Sequence, residues 1–178
     1  ARNNPGKITS ASAGVGSSSH LTTEMIKSAA KIDLLHVPYK GAGAAILDVI
    51  GGHADLTIVV PGAVQQQILA GALIPLAITG KKPPANLPNV PTFASAGLPS
   101  VNPEAFRFIA APGGLAASVQ VKLAQALGTV MGAPDLQARL VENGFDPEFL
   151  TDKEARAFVV REIQKWRKAV EASGAKAN

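Results

Sequence analysis

Strand-like and helix-like patterns alternate through the first hundred residues. Lys7-Ile8-Thr9-Ser10-Ala11 reads as a short strand that runs into Gly14-Val15-Gly16-Ser17-Ser18-Ser19. Beyond that turn, Leu21, Met25, Ile26 and Ala29 recur at helical spacing. Asp33-Leu34-Leu35-His36-Val37 is β-like and Pro38 ends it; Ala44, Ala45, Leu47, Asp48 and Ile50 then suit a short helix closed by Gly51-Gly52. Asp55 to Val60 is a nearly continuous apolar run, as expected of a buried parallel strand. Pro61-Gly62 opens a third helix through Ile68 and Leu69, ended by Gly71, and Leu73 to Thr79 is the fourth expected strand. Successive strand–helix–strand units of this size predict right-handed crossovers and a mainly parallel sheet covered on both faces.

The pattern changes after Gly80. The stretch from Lys81 to Pro91 holds four of the 13 prolines, and no element is expected through it. Ala105 to Ala111 reads as one more strand. A helix from about Ser118 to Met131 follows, then a short one from Pro134 to Asn143-Gly144. Thr151-Asp152-Lys153-Glu154 is a capping box for the last helix, whose apolar stripe is Ala155, Phe158, Val159, Ile163, Trp166 and Val170. Ala1-Arg2-Asn3-Asn4-Pro5-Gly6 reads as a helix end entering a loop, so the chain is expected to be a segment of something longer.

Composition narrows the function. With 178 residues, 47% hydrophobic and 17% charged, the chain should hold a packed core of one domain or two small lobes. The net charge is 17 − 13 = +4, with its densest run at Lys165 to Lys168, too thin for a nucleic-acid footprint. Aromatics, at 4%, offer few stacking platforms for single strands. The absence of Cys excludes disulfides, a thiolate nucleophile and thiolate metal sites. No apolar run reaches the ~18 residues of a membrane span, so the chain is not expected to be membrane-embedded.

The candidate chemistry lies at the carboxyl ends of the expected strands, where open α/β sheets take ligands. A strand that empties through Gly14 and Gly16 into a helix start exposes backbone N–H groups. Beside them, the small hydroxyls of Ser12, Ser17 and Ser18 let a ligand approach closely. Such a place suits a carboxylate or phosphate. The alternative is an ordinary helix start with Ser17 as its cap. The order Gly-x-Gly-Ser lacks the third Gly of a dinucleotide fingerprint, the Lys of a Walker loop and the Gly-x-Ser-x-Gly of a nucleophile elbow. His20, in the first helical turn, has two roles open to it: donor to a ligand carboxylate, or neutral core histidine. His36 reads as structural and His53 as solvated. Glu24 lies four residues after His20, which supplies two metal ligands at most. Paired catalytic carboxylates are not found; Asp33, Asp48 and Asp55 fall at strand starts or on helix surfaces. Tyr39 and Lys40 follow the second strand, and Val59-Val60-Pro61-Gly62-Ala63 the third, at the same edge. Tyr39 could offer a hydroxyl or a ring wall, or be a half-buried loop aromatic.

Taken together, these segments resemble the periplasmic solute-binding receptors of tripartite tricarboxylate transporters, the Bug family. The resemblance rests on Asn4-Pro5-Gly6-Lys7, the Ser10–Leu21 turn and helix start, His36-Val37-Pro38-Tyr39-Lys40-Gly41, and Gly51-Gly52 with Asp55-Leu56. It continues through Leu76-Ala77-Ile78-Thr79, Asn89-Val90-Pro91-Thr92, Ala96-Gly97-Leu98-Pro99 and on to Trp166. It implies an α/β, type II periplasmic-binding-protein-like lobe with a mainly parallel sheet flanked by helices, plus a helical C-terminal segment belonging to the other lobe. Residues 1–102 would be the second lobe and 103–178 the return to the first, whose N-terminal half is absent. Val59 stands where many relatives carry an Asp, and Ile74 replaces a basic residue common before the fourth strand.

The implied function is to bind a small organic carboxylate in the periplasm and hand it to membrane transporter subunits, with no catalysis, cofactor or metal. The expected ligand-binding set is Ser12, Gly14, Gly16, Ser17, Ser18, His20, Tyr39, Lys40 and Pro61. Two other classes stay open: an effector-binding domain of a transcriptional regulator, which an upstream helix-turn-helix would identify, and a small α/β hydrolase using Ser17.

Overall fold

The computed structural model of the chain describes residues 1–80, 83, 87–103, 106–143 and 145–173. They fall into two compact units, one drawn from Ala1–Ala105 and Lys165–Asn178, the other from Phe106–Gln164.

The first unit is built on three parallel strands: β1 (Thr9–Ser12), β2 (Leu35–Pro38) and β3 (Leu56–Thr57), in the order β2-β1-β3. Helix α1 (Ser18–Ala30) connects β1 to β2, and α2 (Ala42–Ile50) connects β2 to β3. The expected parallel α/β unit is therefore present. Central β1 is buried on both faces, and the alternation of its side chains separates the two helices. The Ser10 hydroxyl meets the Thr23 hydroxyl of α1 at 2.8 Å, whereas Ala11, pointing the other way, packs with Ala45 of α2 and Ala54. Both Ser10 and Ala11 are fully buried. The Asp55 carboxylate accepts from the Thr9 N–H and hydroxyl at 2.7 Å each, while Asp55 N–H donates to Thr9 Oγ1 at 2.8 Å, pinning the start of β3 to the start of β1.

The third strand is shorter than the Asp55–Val60 run predicted. A 3-10 turn at Pro61–Ala63 and helix α3 (Gln65–Leu69) follow it. Leu73 to Thr79 does not form the expected strand; Ile78 makes a single parallel bridge to Thr92. Pro75 deletes a ladder donor in mid-run, and Ile74 and Leu76 are exposed at 80% and 70%, so no second strand covers them.

In the second unit, α4 (Ala117–Met131) packs against α5 (Pro134–Glu142), both close to their predicted bounds. Phe149 lies against α4 at Gly128, where an added Cβ would come within 3.3 Å of its ring. The strand expected over Ala105–Ala111 does not form among its described residues, 106–111, and Phe108 and Ile109 are exposed. An apolar run without a partner strand has nowhere to place its backbone donors except water. Ala105, Gly144 and residues 81, 82 and 84–86 lie outside the described residues. The long helix α6 (Asp152–Ser173) begins at the predicted box: Glu154 accepts from the Thr151 N–H at 2.9 Å and its hydroxyl at 2.6 Å.

Candidate functional site

The turn between β1 and α1 is held almost entirely by its own side chains. Ser17 caps α1, its Oγ accepting from the His20 N–H at 3.3 Å and donating to the Gly14 carbonyl at 2.6 Å. Of the amides expected to stand open, Gly14 N–H donates to Ser12 Oγ at 3.2 Å, Gly16 N–H to His20 Nδ1 at 3.0 Å, and Ser17 N–H to the Gly14 carbonyl at 3.2 Å. Ala13 N–H goes to Ser19 Oγ at 3.0 Å. These four donors are occupied inside the turn and are not offered to a ligand in this conformation.

Three amides remain: that of Val15, on the exposed crest of the turn, and those of Ser18 and Ser19. Ser18 and Ser19 are the first two residues of α1, where an α-helix leaves N–H groups without intrahelical partners. None of the three makes a hydrogen bond among the described residues. No acidic side chain sits in that first turn to offset the helix dipole, so the positive end is uncompensated.

His20 is the third helical residue and is buried, at 6% exposure. Because its Nδ1 accepts the Gly16 amide, a neutral ring must carry its proton on Nε2. No group among the described residues accepts that Nε2–H, and no side-chain nitrogen is both fully buried and unpartnered, so Nε2 keeps access to solvent. The His20 ring stacks on His36, centroids 3.8 Å apart and planes within 10°. His36 Nε2 in turn lies 2.6 Å from Ser12 Oγ. Burial first, and then the adjoining His20 ring, hold the His36 imidazole below its ordinary range; Glu24 opposes them and Lys27 adds to them.

The register explains how residues so far apart meet. Tyr39 N–H donates to the Ser12 carbonyl at 2.9 Å, extending the β1–β2 ladder beyond Pro38. Gly14, at φ +132°, passes so close that a Cβ there would sit 3.3 Å from the Tyr39 carbonyl oxygen. Ser12, Gly14, Gly16, Ser17, His20 and the Tyr39 backbone thus form one cluster. Ser18, exposed, stands at its rim. The Tyr39 side chain turns elsewhere: its hydroxyl donates to Asp48 Oδ2, which holds the phenol above its ordinary pKa, and its ring packs on the Ala11–Ala45–Ala54 core. Lys40 is exposed and makes no hydrogen bond or ion pair among the described residues. Pro61 starts the 3-10 turn beyond β3, with no hydrogen bond to the cluster. His53, exposed, lies 3.5 Å from Asp48.

The expected ligand-binding set omits Ser19, and it takes His36 as structural, at a strand end near the same edge, where it stacks on His20 and meets Ser12. The available signal was Ser10 and Ser12 alternating on one face of a central strand: buried hydroxyls demand partners, and Thr23 of the facing helix serves Ser10 while His36 of β2 serves Ser12. No group of three or more His, Cys, Asp or Glu among the described residues could hold a metal ion.

The family of the tripartite tricarboxylate transporter family receptor, TctC, matches residues 1–175. The chain belongs to this family. It is a family of receptors rather than enzymes, and the α/β unit with its small parallel sheet is the part of that fold described above. A Pseudomonas protein encoded in the tcbD-tcbE intergenic region is 35% identical over 176 residues, covering 96% of this chain and 51% of its own length. Among solved structures, Rpa4515 of R. palustris with adipate is similar at a TM-score of 0.90 and 28% identity, over 98% of this chain and 58% of that one. The periplasmic binding protein BugD is similar at a TM-score of 0.81 and 28% identity, over 99% and 60%. The chain spans about half the length of the curated relatives it matches. No helix among its described residues is long and apolar enough to cross a membrane.

Proposed function

We propose that this chain forms part of a periplasmic receptor that binds a small organic carboxylate at the β1–α1 turn and presents it to membrane transporter subunits, without transforming it. The observation that carries this reading is the pair of unpartnered Ser18 and Ser19 amides at the uncompensated N-terminus of α1, in a chain of the TctC receptor family. One carboxylate oxygen would accept from these N–H groups and the Ser18 hydroxyl, and the Nε2–H of His20 supplies a further donor. Charge-assisted bonds of this kind are the stronger ones. Ser12, Gly14, Gly16 and Ser17 act one step back, shaping the turn. Lys40 would flank the ligand, with Pro61 at the third strand's end, while the Tyr39 side chain, tied to Asp48, stays out of the contact. The adipate bound by Rpa4515 supports a carboxylate as the ligand class.

Residues 1–102 would contribute one lobe of the receptor and 103–178 a return to the other. Affinity in such receptors grows when lobes close and exclude water. Titration calorimetry with small di- and tricarboxylates, beside their neutral amides, tests the reading. Heat with the acids and none with the amides is expected; silence across all the acids rejects the ligand class.

A further inference from the structure

The stacked histidines do more than fill space. The Gly16 N–H has one acceptor, His20 Nδ1, and only the unprotonated nitrogen can serve. Protonation at Nδ1 would set two donors face to face and break the bond. His20 lies at the positive end of α1 with no acidic residue in the first turn, and a second imidazole is stacked 3.8 Å away. Two imidazoliums at that separation would repel in a partly buried setting. The other charged groups acting on His36 are Glu24 and Lys27 of α1. Lys27 is paired with Glu24 at 3.0 Å and lies 3.9 Å from Asp33, so Glu24 is already engaged. From β1 the pair meets the Ser12 hydroxyl, which does not titrate here.

We propose that His36 is a positioning residue for the β1–α1 turn: stacked on His20 and tied to Ser12, it fixes the orientation of the His20 ring whose Nδ1 latches the Gly16 amide, and a proton on that Nδ1 opens the latch. This rests on the binding reading above, because the latch sets the turn that presents the Ser18 and Ser19 amides and leaves the Nε2–H without a partner among the described residues. Acidification would then loosen the turn before it unfolds the sheet, since β1 is pinned independently by the Thr9–Asp55 bonds and the Ser10–Thr23 hydroxyl pair.

The test is nuclear magnetic resonance on the ligand-free full chain. At neutral pH the nitrogen shifts of His20 should report the Nε2–H form; an Nδ1–H form would overturn the proposal without any variant. Gly16 amide exchange, corrected for its intrinsic pH dependence, should be slow at neutral pH and about tenfold faster once the rings are protonated, as for a lost hydrogen bond. His20→Asn keeps an acceptor at the Nδ1 position but cannot titrate, so its Gly16 protection should stay level across the same range. His36→Ala should lose about tenfold of the protection already at neutral pH, and His36→Phe, which keeps a stacked ring, should restore most of it. Protection unchanged on acidification, or lost equally in His20→Asn, or untouched in His36→Ala, would each overturn the proposal. None of these readouts needs a ligand, so a chain that latches as described yet binds no carboxylate refutes the binding reading alone.

Discussion

The bond between Ser10 and Thr23 joins α1 to the central strand, and its donors can be assigned. Thr23 Oγ1 donates its one proton to the Ser19 carbonyl at 3.0 Å, so across the 2.8 Å pair Ser10 must be the donor and Thr23 the acceptor. Both side chains are fully buried. Thr23→Val keeps the shape but leaves the Ser10 hydroxyl without an acceptor, which should cost about 1–3 kcal/mol, the desolvation penalty of an orphaned polar group. Ser10→Ala removes the donor while Thr23 keeps Ser19, and should cost only about 0.5–1.5 kcal/mol. The double variant orphans nothing and should be no less stable than Thr23→Val, a clear departure from additivity. Urea unfolding followed by far-ultraviolet circular dichroism measures this. With an unchanged slope, Thr23→Val should lower the midpoint by about 1 M. A Thr23→Val variant as stable as Ser10→Ala, or strictly additive energies, would refute the donor assignment and the view that this hydroxyl pair docks α1.

Other outcomes follow from the same geometry. Gly14→Ala combines a φ of +132° with a contact 3.3 Å from the Tyr39 carbonyl and should cost about 1–3 kcal/mol in urea unfolding. Gly43→Ala, in α2 with open space around it, should instead stabilise by about 0.4–1 kcal/mol in the same assay. Tyr39 is the one tyrosine, so alkaline spectrophotometric titration reads it alone; it should ionise above 10.0, and Asp48→Asn should bring it back down. The stability Tyr39 lends through Asp48 is therefore full below pH 10.0 and fades as pH rises through its folded value. Asp55 has the opposite sign: Thr9 holds its pKa below 3.8, so its contribution is present above pH 3.8 and lost as pH falls through the lower folded value. Asp55→Asn should flatten the acid limb of a urea-midpoint profile; an unchanged limb would remove Asp55 from that role.

Much of the first unit was legible because local signals and global fold agree there. Pro38, Gly51-Gly52 and the Ser17 cap mark boundaries by backbone chemistry, and they end elements wherever the chain goes. Leu73 to Thr79 failed because a strand needs a neighbour as well as apolar residues, and Pro75 refuses one ladder bond. Residues 106–111 failed for the same want of a partner. At the site, the Gly/Ser turn forms between β1 and α1 as the pattern predicts, but most of its amides are not open. A Gly/Ser turn implies open amides only if its own side chains decline them, and Ser12, Ser17, Ser19 and His20 do not. The His20–His36 stack depends on β1–β2 register, which pairs Ser10 with His36; no spacing between residues 16 apart in the chain encodes it.

The central claim is that the first two amides of α1 receive a carboxylate, and Ser18→Pro addresses it directly. Proline is tolerated at the first helical position, and Ser17, at φ −65° and ψ 160°, already has the extended conformation that a following proline requires. The substitution thus deletes the Ser18 N–H, and its hydroxyl, while the helix and the Ser17 cap stay in place. With adipate as the probe, followed by amide chemical shifts, the parent chain should show saturable shifts at Ser18 and Ser19. Ser18→Pro, with an unchanged circular dichroism spectrum, should weaken binding about tenfold or more, the loss of a charge-assisted hydrogen bond. Binding of equal strength in a folded Ser18→Pro variant would contradict the account.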